Sequence, residues 1–165
     1  MSSAAHAEHG HDHAHAHHEP GFVEKYLWST DHKMIAFQYM FTGMFLAIVG
    51  GYFSYVFRMQ LAFPGAEIPL FGMVTPARYN SLVTSHGTIM IFWVAMPVLI
   101  AAFGNYLIPL MIGCDDMVFP KLNRLSYQIF LVSAIILIVS FFVPGGGFGG
   151  AWTMYPPLSS RAEYS

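Results

Sequence analysis

The chain has 165 residues, of which 55% are hydrophobic and 10% charged, and its mean hydropathy is +0.50. Soluble domains carry about 25% charged residues, so this composition excludes a disordered chain, a nucleic-acid module and an ordinary soluble enzyme. Seven Lys+Arg against nine Asp+Glu leave no basic surface for a polyanion, and the single cysteine excludes an internal disulfide framework.

Residues 1–24 form a histidine-rich tail, with His6, His9, His11, His13, His15, His17 and His18 among Ala, Gly, Asp and Glu. It has nothing to bury and reads as disordered and cytoplasmic. Weak binding of Zn, Cu or Ni is the alternative to a plain solvated tail. Membrane spans begin after it. Met34 to Phe57 is an uncharged stretch of 24 residues. A bilayer needs about 20 apolar residues at 1.5 Å rise each, so this stretch crosses with some tilt. Tyr79 to Cys114 is a second uncharged stretch of 36 residues. It predicts one long helix that Pro97 and Pro109 kink or finish. Leu125 to Val143 is a third, of 19 residues, closed by Pro144 and the glycine run Gly145, Gly146, Gly147, Gly149 and Gly150. The expected fold is an all-α membrane protein with three transmembrane helices, about 34–58, 80–110 and 125–143, within one unit over 25–165. No strand signal is present. A cleaved signal peptide is not expected, because the first apolar stretch starts late and is too long. With the N-terminus inside, Lys25, Lys33, Lys121 and Arg124 lie inside against Arg58, Arg78 and Arg161 outside, a four-to-three preference for a cytoplasmic N-terminus.

Ionisable groups inside a bilayer are costly and mark cofactors, ion paths or partners. His86 lies about two turns, roughly 10 Å, into the second helix from Tyr79. Neutral imidazole is a common haem ligand and also suits Cu or Zn. Gly87 beside it leaves room for a flat macrocycle. The alternative is a structural hydrogen bond to a neighbouring helix. Arg58 ends the first span on the same side, either facing an anionic or carbonyl group of a cofactor or snorkelling to the interface. On the other side, Asn105, Asp116 and Asn123 form either a wet proton path or part of a solvated loop, as does Asp115. Gly43, Ala47 and Gly51 at i, i+4 and i+8 read as a stripe for close helix packing. Cys114 reads as an inert thiol.

Five blocks then resemble the start of subunit I of the haem-copper oxidases, in that family's order. They are Ser29-Thr30-Asp31-His32-Lys33; Arg58-Met59-Gln60-Leu61 with the His86 segment; Phe103 to Gly113; Asp116 to Asn123; and Trp152-Thr153-Met154-Tyr155-Pro156-Pro157-Leu158. They cover about residues 29–160. The resemblance implies a twelve-helix bundle with a low-spin haem, a high-spin haem and copper, reducing dioxygen to water while pumping protons. It implies that His86 is an axial ligand of the low-spin haem iron, that Arg58 meets the formyl group of haem a, and that Tyr79 lies nearby. It implies that Asp116 takes up protons for the D pathway, with Asn105 and Asn123 as its amides. Implied partners are oxidase subunits II and III, cytochrome c and membrane lipid, in an energy-transducing membrane of bacterial type; no nucleic acid is expected. The copper ligands, the high-spin haem ligand and the second low-spin ligand are expected beyond Ser165. This stretch alone is therefore expected to be inactive, the first quarter to third of a subunit.

Departures qualify the resemblance. Gln60 replaces a Glu that serves a peripheral cation site in many relatives, and Cys114-Asp115 replaces a more usual pair before Asp116. The family's ubiquinol members carry Arg, Asp, His and Gln where this chain has Val49, Phe53, Arg78 and Ser81. That favours cytochrome c as donor over quinol. A non-enzymatic membrane haem- or metal-binding protein is the reading from a different class.

Overall fold

A computed structural model of the chain describes residues 21–143, 147–157 and 159–160. The histidine tail through residue 20, the start of the glycine run at 144–146, Leu158 and residues 161–165 with Arg161 lie outside the described residues.

A short helix, α1, covers Phe22–Tyr26. The first long helix, α2, runs His32–Ala62. It starts where the Asp31 carboxylate accepts the Lys33 backbone N–H at 3.0 Å, an N-cap that satisfies one otherwise orphaned donor. The second, α3, runs Pro76–Ile112. Thr75 caps it by accepting the Arg78 N–H at 3.3 Å, and Pro76 fits its first turn. Gly113, at φ 71°, ends it in the left-handed conformation that glycine adopts without strain. The third, α4, runs Pro120–Ser140. All three are long and apolar enough to cross a bilayer. Among the described residues there is no strand, only one isolated antiparallel bridge between Ile68 and Gly72.

The centre of α3 widens. Ile89–Ala95 and Pro97–Ala102 form π-helical turns, with i→i+5 bonding, between regular ends. Pro97 has no N–H and its ring crowds the carbonyl four residues back. Wider turns accommodate both effects without breaking the rod. Pro109 sits instead in the last turn, just before Gly113.

The helices pack in chain order. Gly43 meets Val98, Gly50 meets Ile89 and Met90, and Phe57 meets Tyr79 and His86. Position numbers rise on α2 as they fall on α3, so this pair is antiparallel. α4 returns parallel to α2, pairing Tyr39 with Ser126, Thr42 with Tyr127, and Phe53 with Phe141. Trp93 Nε1 donates to Ser133 Oγ at 3.3 Å, joining α3 to α4. Leu46, Phe53, Val56, Leu82, Ile89 and Ala134 form the main buried cluster. Phe41, Ile48 and Ile136 remain exposed on the outside. An apolar exterior of this kind suits a bilayer or further helices.

The small-residue stripe needs correction. A Cβ on Gly43 would stand 2.6 Å from Val98 Cγ2, and one on Gly50 would stand 3.1 Å from Ile89 Cγ2 and Met90 Sδ. Gly51 faces open space. The close-packed pair is therefore Gly43 and Gly50. Seven residues return nearly to the same helix face, whereas eight overshoot by about 80°. Gly43→Ala is expected to destabilise the fold by about 1–3 kcal/mol, because the β-branched Val98 yields poorly. The measurement is the denaturation midpoint of the reconstituted protein. Val98→Ala in the same chain should restore most of the loss; an unchanged midpoint in the single variant would contradict this contact.

Candidate functional site

Tyr79 and His86 stand seven residues apart on α3, so both face α2. Phe57 of α2 contacts both rings edge-on, with centroids 6.0 Å from Tyr79 and 5.6 Å from His86. His86 Nδ1 lies 2.8 Å from the carbonyl oxygen of Gly50. A carbonyl only accepts, so in the neutral ring Nδ1 carries the hydrogen. The lone pair then belongs to Nε2, and among the described residues nothing hydrogen-bonds to that atom. A metal-ligating histidine has this arrangement: one nitrogen held by a carbonyl, the other free to donate electrons. The close approach at Gly50 brings that carbonyl within reach. The donor set thus fits one axial bond to a haem iron. Among the described residues no group of three or more His, Cys, Asp or Glu side chains is arranged to hold a metal ion by itself.

Arg58 follows Phe57 and is exposed. The ion pairs found among the described residues involve His32 and two aspartates, leaving the Arg58 guanidinium without one. The expectation for Gly87 is corrected. A Cβ there would lie 3.4 Å from Trp152 Cδ1, so this face is not open but carries the Trp152 indole. The loop bearing Trp152 is pinned to α3. Ser81 Oγ donates to the Gly147 carbonyl at 2.7 Å, and the Ala151 N–H donates to Thr84 Oγ1 at 3.0 Å. Trp152 also meets Phe92, with centroids 6.4 Å apart. Sequence spacing gives no sign of this cover, because it comes from 65 residues further along the chain.

Asp116 lies at the opposite end, in the connection between α3 and α4. Its Oδ1 accepts the Met117 N–H at 2.7 Å and stands 3.3 Å from His32 Nδ1. His32 itself is 2% exposed, with Asp31 Oδ1 at 3.5 Å. Neither ring nitrogen of His32 makes a directional hydrogen bond. Asn105 is buried about 10 Å along α3 from its end at Ile112. Its Nδ2 donates to the Ala101 carbonyl at 2.7 Å, while Oδ1 is buried without a partner. Asn123, in the first turn of α4, leaves its Nδ2 buried and unpartnered. A buried polar atom left unsatisfied costs about 1–3 kcal/mol. Ordered water removes that cost where a polar cavity admits it. No direct hydrogen bond joins Asp116, Asn105 and Asn123.

A hydroxyl chain continues inward from Asn123. Ser126 Oγ donates to the Asn123 carbonyl at 2.6 Å, so the Tyr39 hydroxyl, 3.0 Å away, donates to Ser126. Thr42 and Tyr127 pair at 3.0 Å one turn further along. Sequence reasoning missed His32, Tyr39, Thr42, Ser126 and Tyr127. The seven-residue spacing of His32 and Tyr39 puts both on one face of α2 and was the available signal.

Comparison with known proteins decides the family. The sequence profile described as cytochrome C and quinol oxidase polypeptide I matches residues 34–165. Alternative cytochrome c oxidase subunit 1 of Bradyrhizobium diazoefficiens is 41% identical over 141 residues, covering 86% of this chain and 23% of the relative. Cytochrome c oxidase subunit 1 of Cereibacter sphaeroides is 35% identical over 186 residues, covering 96% and 32%. That of Synechocystis is 44% identical over 138 residues, covering 84% and 24%.

The chain belongs to the haem-copper oxidase subunit I family.

It spans about a quarter to a third of the length of these relatives. The three apolar helices are the start of the subunit I helical bundle. The profile match contains Arg58, Tyr79, His86, Asn105, Asp116 and Asn123. His32 and α1 precede it.

Proposed function

We propose that the chain is the N-terminal part of the catalytic subunit of a proton-pumping terminal oxidase. That oxidase passes electrons from cytochrome c through a low-spin haem to a haem–copper site that reduces dioxygen to water. The observation that carries this reading is His86. Its Nδ1–H is tied to Gly50, its Nε2 lone pair is free, and Phe57 fixes the ring plane. His86 would hold low-spin haem a through Nε2, with the guanidinium of Arg58 toward the formyl group and Tyr79 alongside. Bound there, the haem supplies one-electron transfer. The high-spin haem and copper belong to later parts of the subunit, and subunits II and III complete the assembly. The membrane is an energy-transducing one of bacterial type, with the N-terminus cytoplasmic.

The remaining steps belong to side chains of this chain. Asp116, exposed in its loop, takes a proton from water. His32 at 3.3 Å is placed to share it. The unpartnered Asn105 Oδ1 and Asn123 Nδ2 orient water between the helices. Protons then enter at one end while electrons act at the other. Moving one charge across the membrane costs about 2.3 kcal/mol per 100 mV, the work that such a separation makes possible.

Quinol as donor is less well supported. The four positions that mark ubiquinol members already have partners in this fold. Arg78 Nη1 donates to the Phe71 carbonyl at 3.2 Å, and Ser81 is bonded to Gly147. Phe53 is buried between Phe71 and Phe141, and Val49 packs on the same cluster. The assembled oxidase is expected to turn over with reduced cytochrome c; turnover with quinol alone would overturn this choice. The non-enzymatic reading makes a separate forecast: a coding region with no in-frame helices after Ser165. In-frame continuation with further histidine-bearing helices is the expected result.

A further inference from the structure

The first described turn of the chain is amphipathic. Around α1, Phe22, Tyr26, Val23 and Leu27 fall within an arc of about 140°, and Glu24 and Lys25 lie opposite. All four apolar side chains are exposed, Phe22 by 74% and Val23 by 59%. Phe22 and Tyr26 touch along this arc, with centroids 4.8 Å apart. The segment is also fixed in height. Gln38 Nε2 donates to the Tyr26 carbonyl. Arg124 Nη1 donates to the Trp28 carbonyl at 3.4 Å, and its guanidinium lies 5.8 Å from the Trp28 ring centroid. Gln38 is in the second turn of α2 and Arg124 in the second turn of α4, so both anchors sit where the spans begin. At the same end, Val118, Phe119 and Leu122 extend the exposed apolar rim.

We propose that residues 21–28 lie in the plane of the membrane surface, with the Phe22, Val23, Tyr26 and Leu27 side chains in the phospholipid acyl-chain boundary and Glu24 and Lys25 in water. Eight residues are too few to cross a bilayer, which needs about 20. One arc requires hydrocarbon and the other requires water, and the edge of a leaflet offers both. Aromatic residues with an amphipathic ring, here Tyr26 and Trp28, favour that boundary. Among the described residues, the charges at this end balance: Lys25, Lys33, Lys121 and Arg124 against Glu24, Asp31, Asp115 and Asp116. Apolar burial therefore holds the segment, and binding to zwitterionic phospholipid needs no anionic headgroup.

The test is spin labelling of single cysteines at positions 22 to 26 in the assembled protein, in phosphatidylcholine vesicles. Cys114, which is exposed, is replaced by alanine first. Collision with oxygen should dominate at 22, 23 and 26, and collision with a water-soluble nickel chelate at 24 and 25. Uniform access by the chelate would place the segment in water, and exclusion of both would place it under protein; either result overturns the proposal. Should labelling disturb assembly, the unmodified protein is photolysed with a phospholipid bearing a diazirine near the top of its acyl chain. Adducts on Phe22, Val23, Tyr26 or Leu27 support the assignment. Their absence, with adducts elsewhere on the chain, refutes it. None of these readouts depends on haem or on oxidase turnover.

Discussion

His86→Ala in the assembled oxidase is expected to abolish the visible band of the low-spin haem. On the proposed reading the free Nε2 of His86 would hold the haem iron, and the substitution removes that nitrogen. The alanine variant also deletes the Nδ1–H bond to Gly50, made at 2.8 Å. A collapsed fold could then imitate the loss. His86→Asn separates the two effects. The Asn Nδ2 takes nearly the place of the imidazole Nδ1 and still donates to the Gly50 carbonyl, while no atom replaces Nε2. A lost band in both variants, with the asparagine protein melting within about 1 kcal/mol of the parent, assigns the histidine to iron; a net hydrogen bond is worth about that much. A normal band in the asparagine protein would leave His86 as a strut between α2 and α3.

The histidine was legible from the sequence for a simple reason. An imidazole in an uncharged stretch of 36 residues has no cheap structural explanation. Its partner was not legible. The Gly50 carbonyl meets His86 only because α2 and α3 pack antiparallel in one register, and register depends on Gly43 and Gly50 rather than on Gly43 and Gly51. Composition could not distinguish the two, since both positions are glycine. Likewise Gly87 looked open until Trp152 arrived from a distant loop. His32 was hidden by its surroundings. Asp31 and Lys33 flank it, a charged local sequence that gives no sign of burial, whereas folding buries it against Asp116. The three spans themselves were plain, because membrane helices announce their length in apolar residues. Their ends were less so. Caps such as Asp31 and Thr75 extend α2 and α3 past the uncharged cores into polar residues.

The two ends now have different chemistries on one scaffold. From His86 to Gly113, α3 climbs on the order of 40 Å, enough to span the hydrocarbon core of a bilayer, about 30 Å thick. One end holds a nitrogen lone pair and a guanidinium. The other holds a carboxylate, an imidazole and two unsatisfied amides. Between them run the wide turns around Pro97, where the backbone carries no charged side chain. Such an arrangement keeps the two groups of side chains apart while a single helix sets their spacing.

Asp116→Asn should accordingly slow proton-coupled turnover at least tenfold, about 1.4 kcal/mol of added barrier, with the haem bands intact. The amide preserves the size of the side chain and its contact with the Met117 N–H, but it cannot carry a proton. A relay group contributes about a hundredfold or more where no bypass exists, so the tenfold figure allows for uptake by water near His32. The His32 contact sharpens the forecast. With Asp116 present, His32→Ala should slow turnover less than Asp116→Asn does, because the carboxylate still takes protons from solvent. In the Asp116→Asn background, His32→Ala should add little, since groups that act as one unit are not additive. Full additivity of the two losses would mean that the imidazole and the carboxylate serve separate paths. Normal turnover and pumping in Asp116→Asn would reduce that residue to a loop charge and leave Asn105 Oδ1 and Asn123 Nδ2 without a proton source beside them.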